Sequence, residues 1–142
     1  MATRRVSRRV TNARVRSDGN RIRNSILLGL PADECDAVFK KLKFVTLPTN
    51  FVLQEAGEPI KFAYFINSGM ASILNESVEV GLAGKEGFIG QSLANGFRTT
   101  PMRVIMKLRG NAYRITSADF AEVLSHSAKL AKNLNLCAMR SI

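Results

Sequence analysis

The feature that most constrains the fold is a series of short apolar runs, interrupted every few residues by turn-forming residues. The series covers residues 51–90, and its interruptions include Gly57-Glu58-Pro59 and Asn67-Ser68-Gly69. Aromatic and β-branched side chains flank the interruptions, which is typical of short strands packed on a core. Glycine in such turns supplies the positive φ that other residues rarely adopt. The pattern therefore predicts a small, tightly turning β structure.

Seven short strands are predicted between residues 44 and 115. They are Phe44–Leu47, Phe51–Gln54, Phe62–Ile66, Ala71–Leu74, Val78–Leu82, Met102–Leu108 and Ala112–Ile115. Strands of this length and spacing indicate an antiparallel jelly roll or small sandwich. Only Asn75-Glu76-Ser77 separates the fourth strand from the fifth, so the hairpin between them is expected to be short.

Helical patterns flank this β region. Residues 24–30 favour a short apolar helix or turn, and Pro31–Lys43 favours a helix with acidic residues in its first turn and lysines near its end. One face of that helix collects the apolar side chains Cys35, Val38, Phe39 and Leu42, so Cys35 is expected to be a core residue. The predicted fold is therefore mainly β, an antiparallel jelly roll with short flanking α-helices.

Two helices are predicted after the last strand. Thr116 or Ser117 can cap the first, which runs through Leu124. The second begins near Ser127 and places Leu130, Leu134 and Cys137 or Ala138 on one face. Such an apolar face could seek a partner helix, in a homodimer or a mixed dimer.

The positive charge of the chain is concentrated at its N-terminus. The 142 residues carry a formal charge of +10, of which residues 1–23 contribute +7 through eight arginines and one acid, Asp18. We expect a basic, disordered arm over residues 1–23 and one domain over residues 24–142. The arm could be a passive tail, a transit peptide or a contact for nucleic-acid phosphates. Its candidate nucleic-acid contacts are Arg4, Arg5, Arg8, Arg9, Arg14 and Arg16.

Composition argues against several other classes of protein. The longest charge-free stretch has 14 residues, too few for a membrane-spanning helix, and no apolar signal sequence follows the first methionine. Two distant cysteines and one histidine, His126, disfavour a zinc or iron–sulfur site. The only histidine lies between Ser125 and Ser127 at a predicted turn between two helices, where it is expected to be solvated and not a catalytic base. We therefore expect a cytoplasmic protein that is not an enzyme and has no metal or cofactor.

Several ordered motifs resemble the sensory half of Crp/Fnr-type transcription regulators, which has the fold of a cyclic-nucleotide-binding domain. The matching segments are Leu27–Pro31, Val52–Ile60, Tyr64–Met70, Val78–Leu82 and Gly84–Gly90. The resemblance extends from about Asn24 to about Leu136. It implies a β-roll that senses a small effector, without catalysis.

The resemblance also places a ligand site in the stretch FIGQSLANGFRTTPMRV. In family members that bind cyclic nucleotides, a glutamate after the glycine holds the ribose and an arginine holds the phosphate. Here Gly90 matches the glycine, but Gln91 replaces the glutamate. Counting back from Pro101 places Thr99 at the usual position of the arginine. A cyclic nucleotide is therefore disfavoured, and another small effector or none is expected. The candidate ligand-binding residues are Gly90, Gln91, Ser92, Arg98, Thr99, Thr100 and Arg103.

Regulators of this type continue into a dimerisation helix and a winged helix-turn-helix. This sequence ends at Ile142, about where that helix would begin. The expectation is a sensor truncated before its DNA-binding half, so DNA would be reached only through a missing domain or the basic arm. Two alternatives stay open. One is a ligand-independent module that pairs with a full-length regulator, and the other is a nonspecific nucleic-acid binder that acts through the arm.

Overall fold

The computed structural model describes residues 21–132 and residue 134. These residues form one antiparallel sheet of six strands with short helices before, within and after it. The strands are β1 (Lys43–Leu47), β2 (Val52–Gln54), β3 (Phe62–Asn75), β4 (Val78–Ala83), β5 (Phe88–Ile89) and β6 (Arg103–Thr116). The helices are α1 (Ser25–Leu28), α2 (Ala32–Phe39), α3 (Gln91–Ala94) and α4 (Ser117–His126), followed by α5 over residues 128–132. The predicted mainly β fold with flanking helices is confirmed.

Strands β3 and β6 organise the sheet because each has 14 residues and they pair with each other over nearly their whole length. The first half of β3 borders β5 and its second half borders β4. Likewise, the first half of β6 borders β2 and its second half borders β1. The sheet bends across the middle of both long strands, so one sheet supplies both layers of a roll.

The prediction of separate strands on either side of Asn67-Ser68-Gly69, and again on either side of residues 109–111, is wrong. The chain bends at both places without reversing, and the pairing of β3 with β6 continues through register shifts between Ile66 and Ala71. Such β-bulges increase the local twist and carry a strand from one layer to the next. A glycine-containing bulge and a glycine-containing turn have the same local sequence signature.

Two glycines allow the long strands to approach each other at this bend. Gly69 has φ +85°, and a Cβ there would lie 2.6 Å from the carbonyl oxygen of Leu108. A Cβ on Gly110 would overlap the carbonyl oxygen of Ser68. The bend therefore requires glycine on both strands. The sharp β3–β4 hairpin is confirmed, and its two turn residues, Glu76 and Ser77, both have positive φ, as a type I′ turn requires.

The helices agree with the prediction in position but differ at their ends. Helix α2 ends at Phe39, before the predicted Lys43, although Leu42 still packs into the same core as Cys35. The Thr116 hydroxyl caps α4 by accepting a hydrogen bond from Asp119 N at 3.2 Å. Strand β5 is not predictable from sequence periodicity because it has only two residues. No helix in the described part of the chain is long and apolar enough to cross a membrane.

Two clusters of buried side chains lie on opposite sides of β3. Ala63 and Phe65 face the cluster formed with the helices, whereas Tyr64 and Ile66 face the cluster inside the roll. This alternation follows from the two-residue period of a strand. Strand β3 therefore separates the two cores and contributes side chains to both.

The second C-terminal helix packs into the helical core of its own chain. Leu130 and Leu134 are 0% and 1% exposed, and they contact the cluster that includes Phe120. The expectation that these two leucines form an exposed face for a partner helix is therefore wrong. The remaining residues of that predicted face, Cys137 and Ala138, lie outside the described residues, as does the arginine-rich segment 1–20.

A buried asparagine ties the N-terminal helices to the sheet. Asn24 Oδ1 accepts hydrogen bonds from the N–H groups of Ile26 and Leu27 at 3.1 and 3.3 Å, which caps α1. Its Nδ2 donates to the carbonyl oxygens of Ile66 and Gly87, at 2.7 Å each. The side chain is 0% exposed and each of its hydrogen-bonding groups has a partner, so both ends of the amide are needed.

We predict that Gly110→Ala destabilises the fold by at least about 3 kcal/mol, because the new methyl group would force two backbones apart. Gly81→Ala is the matched control in another strand, where the added Cβ would make an ordinary 3.6 Å contact with Ile73 Cδ1. We expect the control to change stability by less than about 1 kcal/mol. Urea unfolding of both variants measures the difference, and equal losses would contradict the proposed close approach.

Asn24→Asp is expected to cost about 2 kcal/mol or more, although the side chain keeps its shape. The substitution replaces a donor with an oxygen that faces two carbonyl oxygens in a buried site. Asn95→Asp, at an exposed position, is the control and should be nearly neutral. The comparison is made by thermal and urea unfolding at pH 7. A neutral effect at Asn24 would mean that its amide does not hold Ile66 and Gly87 as described.

Candidate functional site

A cavity of about 120 Å³ lies at the end of the roll, between strands β2, β3, β5 and β6 and the start of α3. Its wall is mainly apolar, with a polar border. The apolar side chains are Ile60, Phe62, Ile73, Phe88, Ile89, Met102 and Val104. The polar border consists of Gln54, Gln91, Ser92 and Thr100, together with Gly90. The wall therefore contains no charged side chain.

The chain enters α3 through a glycine that packs tightly on β3. Gly90 has φ +133°, and a Cβ there would lie 2.8 Å from the Cβ of Ala63. As the N-cap residue of α3 it offers no side chain to the first-turn N–H groups. Gln91 and Ser92, the first two residues of this one-turn helix, line the cavity and are half-buried.

The structure brings together four of the seven residues that the sequence pointed to as ligand contacts. Gly90, Gln91, Ser92 and Thr100 all line the cavity. Arg98 and Thr99 are exposed and lie outside the wall. Thr100, which lines the cavity, comes one residue after Thr99, the position at which the sequence motif predicts the arginine. The role of these residues as ligand contacts stays a prediction.

Arg103 is the seventh of these residues, and it also lies outside the cavity wall. Its two neighbours in sequence, Met102 just before β6 and Val104 on β6, line the cavity, and alternate residues of an extended chain point to opposite faces. The Arg103 Nε atom donates to Glu55 Oε1 at 2.9 Å. The guanidinium is therefore already paired with a carboxylate on the other side of the strand.

Gln54 also lines the cavity, although it is not among the residues predicted to contact a ligand. It is 8% exposed, and its Nε2 donates to the carbonyl oxygens of Glu55 and Glu58 at 2.7 and 3.0 Å. These bonds hold the Gly57-Glu58-Pro59 turn against the end of β2. A polar residue at the end of the apolar run Val52-Leu53 is the one sequence signal that could have identified it.

Phe88 contributes to both the cavity and the helical core. Its side chain lines the cavity, and its ring centre lies 5.9 Å from that of Phe65 and 6.3 Å from that of Phe120 on α4. One aromatic side chain is thus part of two environments.

Two other concave regions carry polar side chains. One lies between α2 and α4 and is bordered by Asp33, Glu34, Glu122 and the exposed His126. The other is bordered by Arg21, Arg23, Phe44, Asn67, Ser68 and Asn111. Among the residues that the structure describes, no group of three His, Cys, Asp or Glu side chains is arranged to hold a metal ion.

No protein-family model and no curated protein matches the sequence. Solved structures do share the fold. The sensor domain of the transcriptional regulator DNR from Pseudomonas aeruginosa is similar with a TM-score of 0.65 and 13% identity, over 80% of this chain and 88% of that one. The regulatory domain of Toxoplasma gondii PKA with cAMP gives a TM-score of 0.68 and 18% identity, over 82% of this chain and 46% of that one. PKAR CBD2 bound to Sp-2Cl-cAMPS is similar with a TM-score of 0.66 and 13% identity, over 82% of this chain and 80% of that one.

These likenesses show that the chain has the fold of a cyclic-nucleotide-binding-like domain. At such low identity they concern the fold alone, and they confirm the fold class that the sequence motifs predict. The similar proteins are sensor and regulatory domains.

Proposed function

We propose that this chain is the effector-sensing domain of a Crp/Fnr-type regulator and that the cavity beside α3 is its ligand site. The observation that carries the proposal is the position of the cavity. The cavity lies between α3, which follows Gly90, and Thr100, which precedes β6. The fold around it is shared by the sensor domain of a transcription regulator and by domains with bound cyclic nucleotides. Burial of most of a small molecule's surface in such a cavity is the usual basis of its affinity.

The proposed effector is not a cyclic nucleotide bound with high affinity. Gln91 can bond a hydroxyl, but it lacks the charge of a carboxylate, and Thr100 stands in the wall where an arginine could meet a phosphate. Hydrogen bonds to charged groups contribute about 1.5–3 kcal/mol each, roughly twice as much as neutral ones. The loss of both charged groups therefore removes much of the affinity that a cyclic phosphate would need.

We predict that 1 mM cyclic AMP or cyclic GMP leaves the melting temperature of the full chain unchanged, because no charged group in the cavity wall can hold the phosphate. A ligand present at about a hundred times its dissociation constant would add about 2.7 kcal/mol of stability, a shift that differential scanning fluorimetry readily detects. A clear rise in melting temperature would contradict the proposed weak binding of cyclic nucleotides, and it would still support a ligand site.

The double variant Gln91→Glu, Thr100→Arg is expected to gain cyclic AMP binding, because it introduces both charged groups into the cavity wall. Isothermal titration calorimetry measures the gain. The matched control is Gln91→Glu, Thr99→Arg, in which the arginine is one residue away at an exposed position outside the wall. Equal binding by the two variants, or binding by the control alone, would contradict the assignment of Thr100 to the ligand site.

A further inference from the structure

We infer that the cavity selects a small, uncharged and mostly apolar molecule that carries one hydrogen-bond donor. This inference rests on the proposed function, since it names the ligand class of the same site. Three observations lead to it: the absence of a charged side chain from the wall, the small volume, and the hydrogen-bonding state of Gln54.

The arginines around the cavity are already engaged or point elsewhere. Arg103 is bonded to Glu55, and Arg98 is exposed outside the wall. Arg114 is not part of the wall, and its guanidinium lies 4.1 Å from the centre of the Phe62 ring. Burial raises the pKa of the Tyr64 phenol, and the charge and hydrogen bond of Arg114 offset only part of this rise.

An anion in this cavity would therefore lose its hydration without gaining a cation. Burial of an unpaired carboxylate costs far more than burial of a hydroxyl group. The cavity wall therefore disfavours an anion of any shape.

The volume limits the ligand to a few non-hydrogen atoms in the enclosed part. A dry apolar cavity of about 150 Å³ is large enough for benzene. The cavity here is somewhat smaller, about 120 Å³, and is partly open to solvent. The enclosed part therefore holds about one small ring, and the rest of any larger ligand must extend through the opening.

Gln54 determines the preferred hydrogen-bonding group. Both hydrogens of its amide nitrogen are used by the carbonyl oxygens of Glu55 and Glu58. What Gln54 can offer a ligand is the carbonyl oxygen of its side chain, which is an acceptor. A hydroxyl or N–H group on the ligand satisfies it, and a ligand with only acceptors does not.

The test uses three probes of similar shape on the full chain: benzyl alcohol, toluene and benzoate. Binding is followed by NMR of ¹³C-labelled isoleucine and methionine methyl groups at neutral pH. Ile60, Ile73 and Met102 report on the cavity, and Ile22 and Ile26, buried in the helical core, are the internal control. We expect benzyl alcohol to bind most tightly and benzoate at least about tenfold more weakly, with the largest shifts at the cavity methyls.

The outcomes separate this inference from the proposed function. Benzoate binding at the cavity methyls as tightly as benzyl alcohol would overturn the inferred charge selection and leave the ligand site standing. Toluene binding as tightly as benzyl alcohol would overturn the donor requirement. If neither neutral probe shifts these methyls but a cyclic nucleotide does, the ligand class is wrong and the sensing function stands. If nothing shifts them, both proposals fail.

The variant Thr100→Arg provides an independent check, since it adds one guanidinium to an otherwise unchanged wall. It should bind benzoate at least about tenfold more tightly than the unmodified chain does, and more tightly than it binds benzyl alcohol. Thr99→Arg, outside the wall, should leave the order of the three probes unchanged. A reversal caused by Thr99→Arg instead would contradict the charge argument. Circular dichroism verifies that each variant is folded, and the three-probe comparison on the unmodified chain does not depend on either.

Discussion

The pairing of β3 with β6 is the constraint on which the rest of the structure depends. The two strands lie about thirty residues apart in sequence, yet together they border every other strand of the sheet and separate the interior of the roll from the helical core. Their bend at Gly69 and Gly110 brings β2, β5 and the start of β6 around the cavity. Because the pairing is non-local, its loop-closure entropy must be overcome before most native contacts can form, which is characteristic of slow-folding β proteins.

Much of the fold could be predicted from sequence because local patterns determine it. The alternating runs identified the positions of β1, β2 and β4, and the apolar face with Cys35 identified the buried side of α2. Local patterns could not distinguish a bulge from a turn at Gly69, since only the partner strand decides whether the chain reverses there. Periodicity likewise showed that Leu130 and Leu134 share a face, but not that the same chain covers it.

The site was predictable only where residues are neighbours in sequence. The resemblance identified the segment Gly90–Ser92 and the vicinity of Thr100, all of which lie in the cavity wall. Gln54 and the apolar residues of β3 were not identified, because four strands distant in sequence assemble this wall. For the same reason, sequence could not show that Arg103 is paired with Glu55, 48 residues away. Side-chain type alone does not reveal whether a charge is available to a ligand.

Phe88 is shared by the cavity wall and the helical core, so a movement of its ring would affect both. A ligand that displaces this ring would change its packing against Phe65 and Phe120. Its binding free energy would then include a contribution, of either sign, from the contacts with α4. Linkage is reciprocal: if a ligand of the cavity favours one position of this ring, whatever favours that position from the helical side would raise the affinity for the ligand by the same factor. A molecule that contacts only the helices could therefore act as an effector of a site that it never touches.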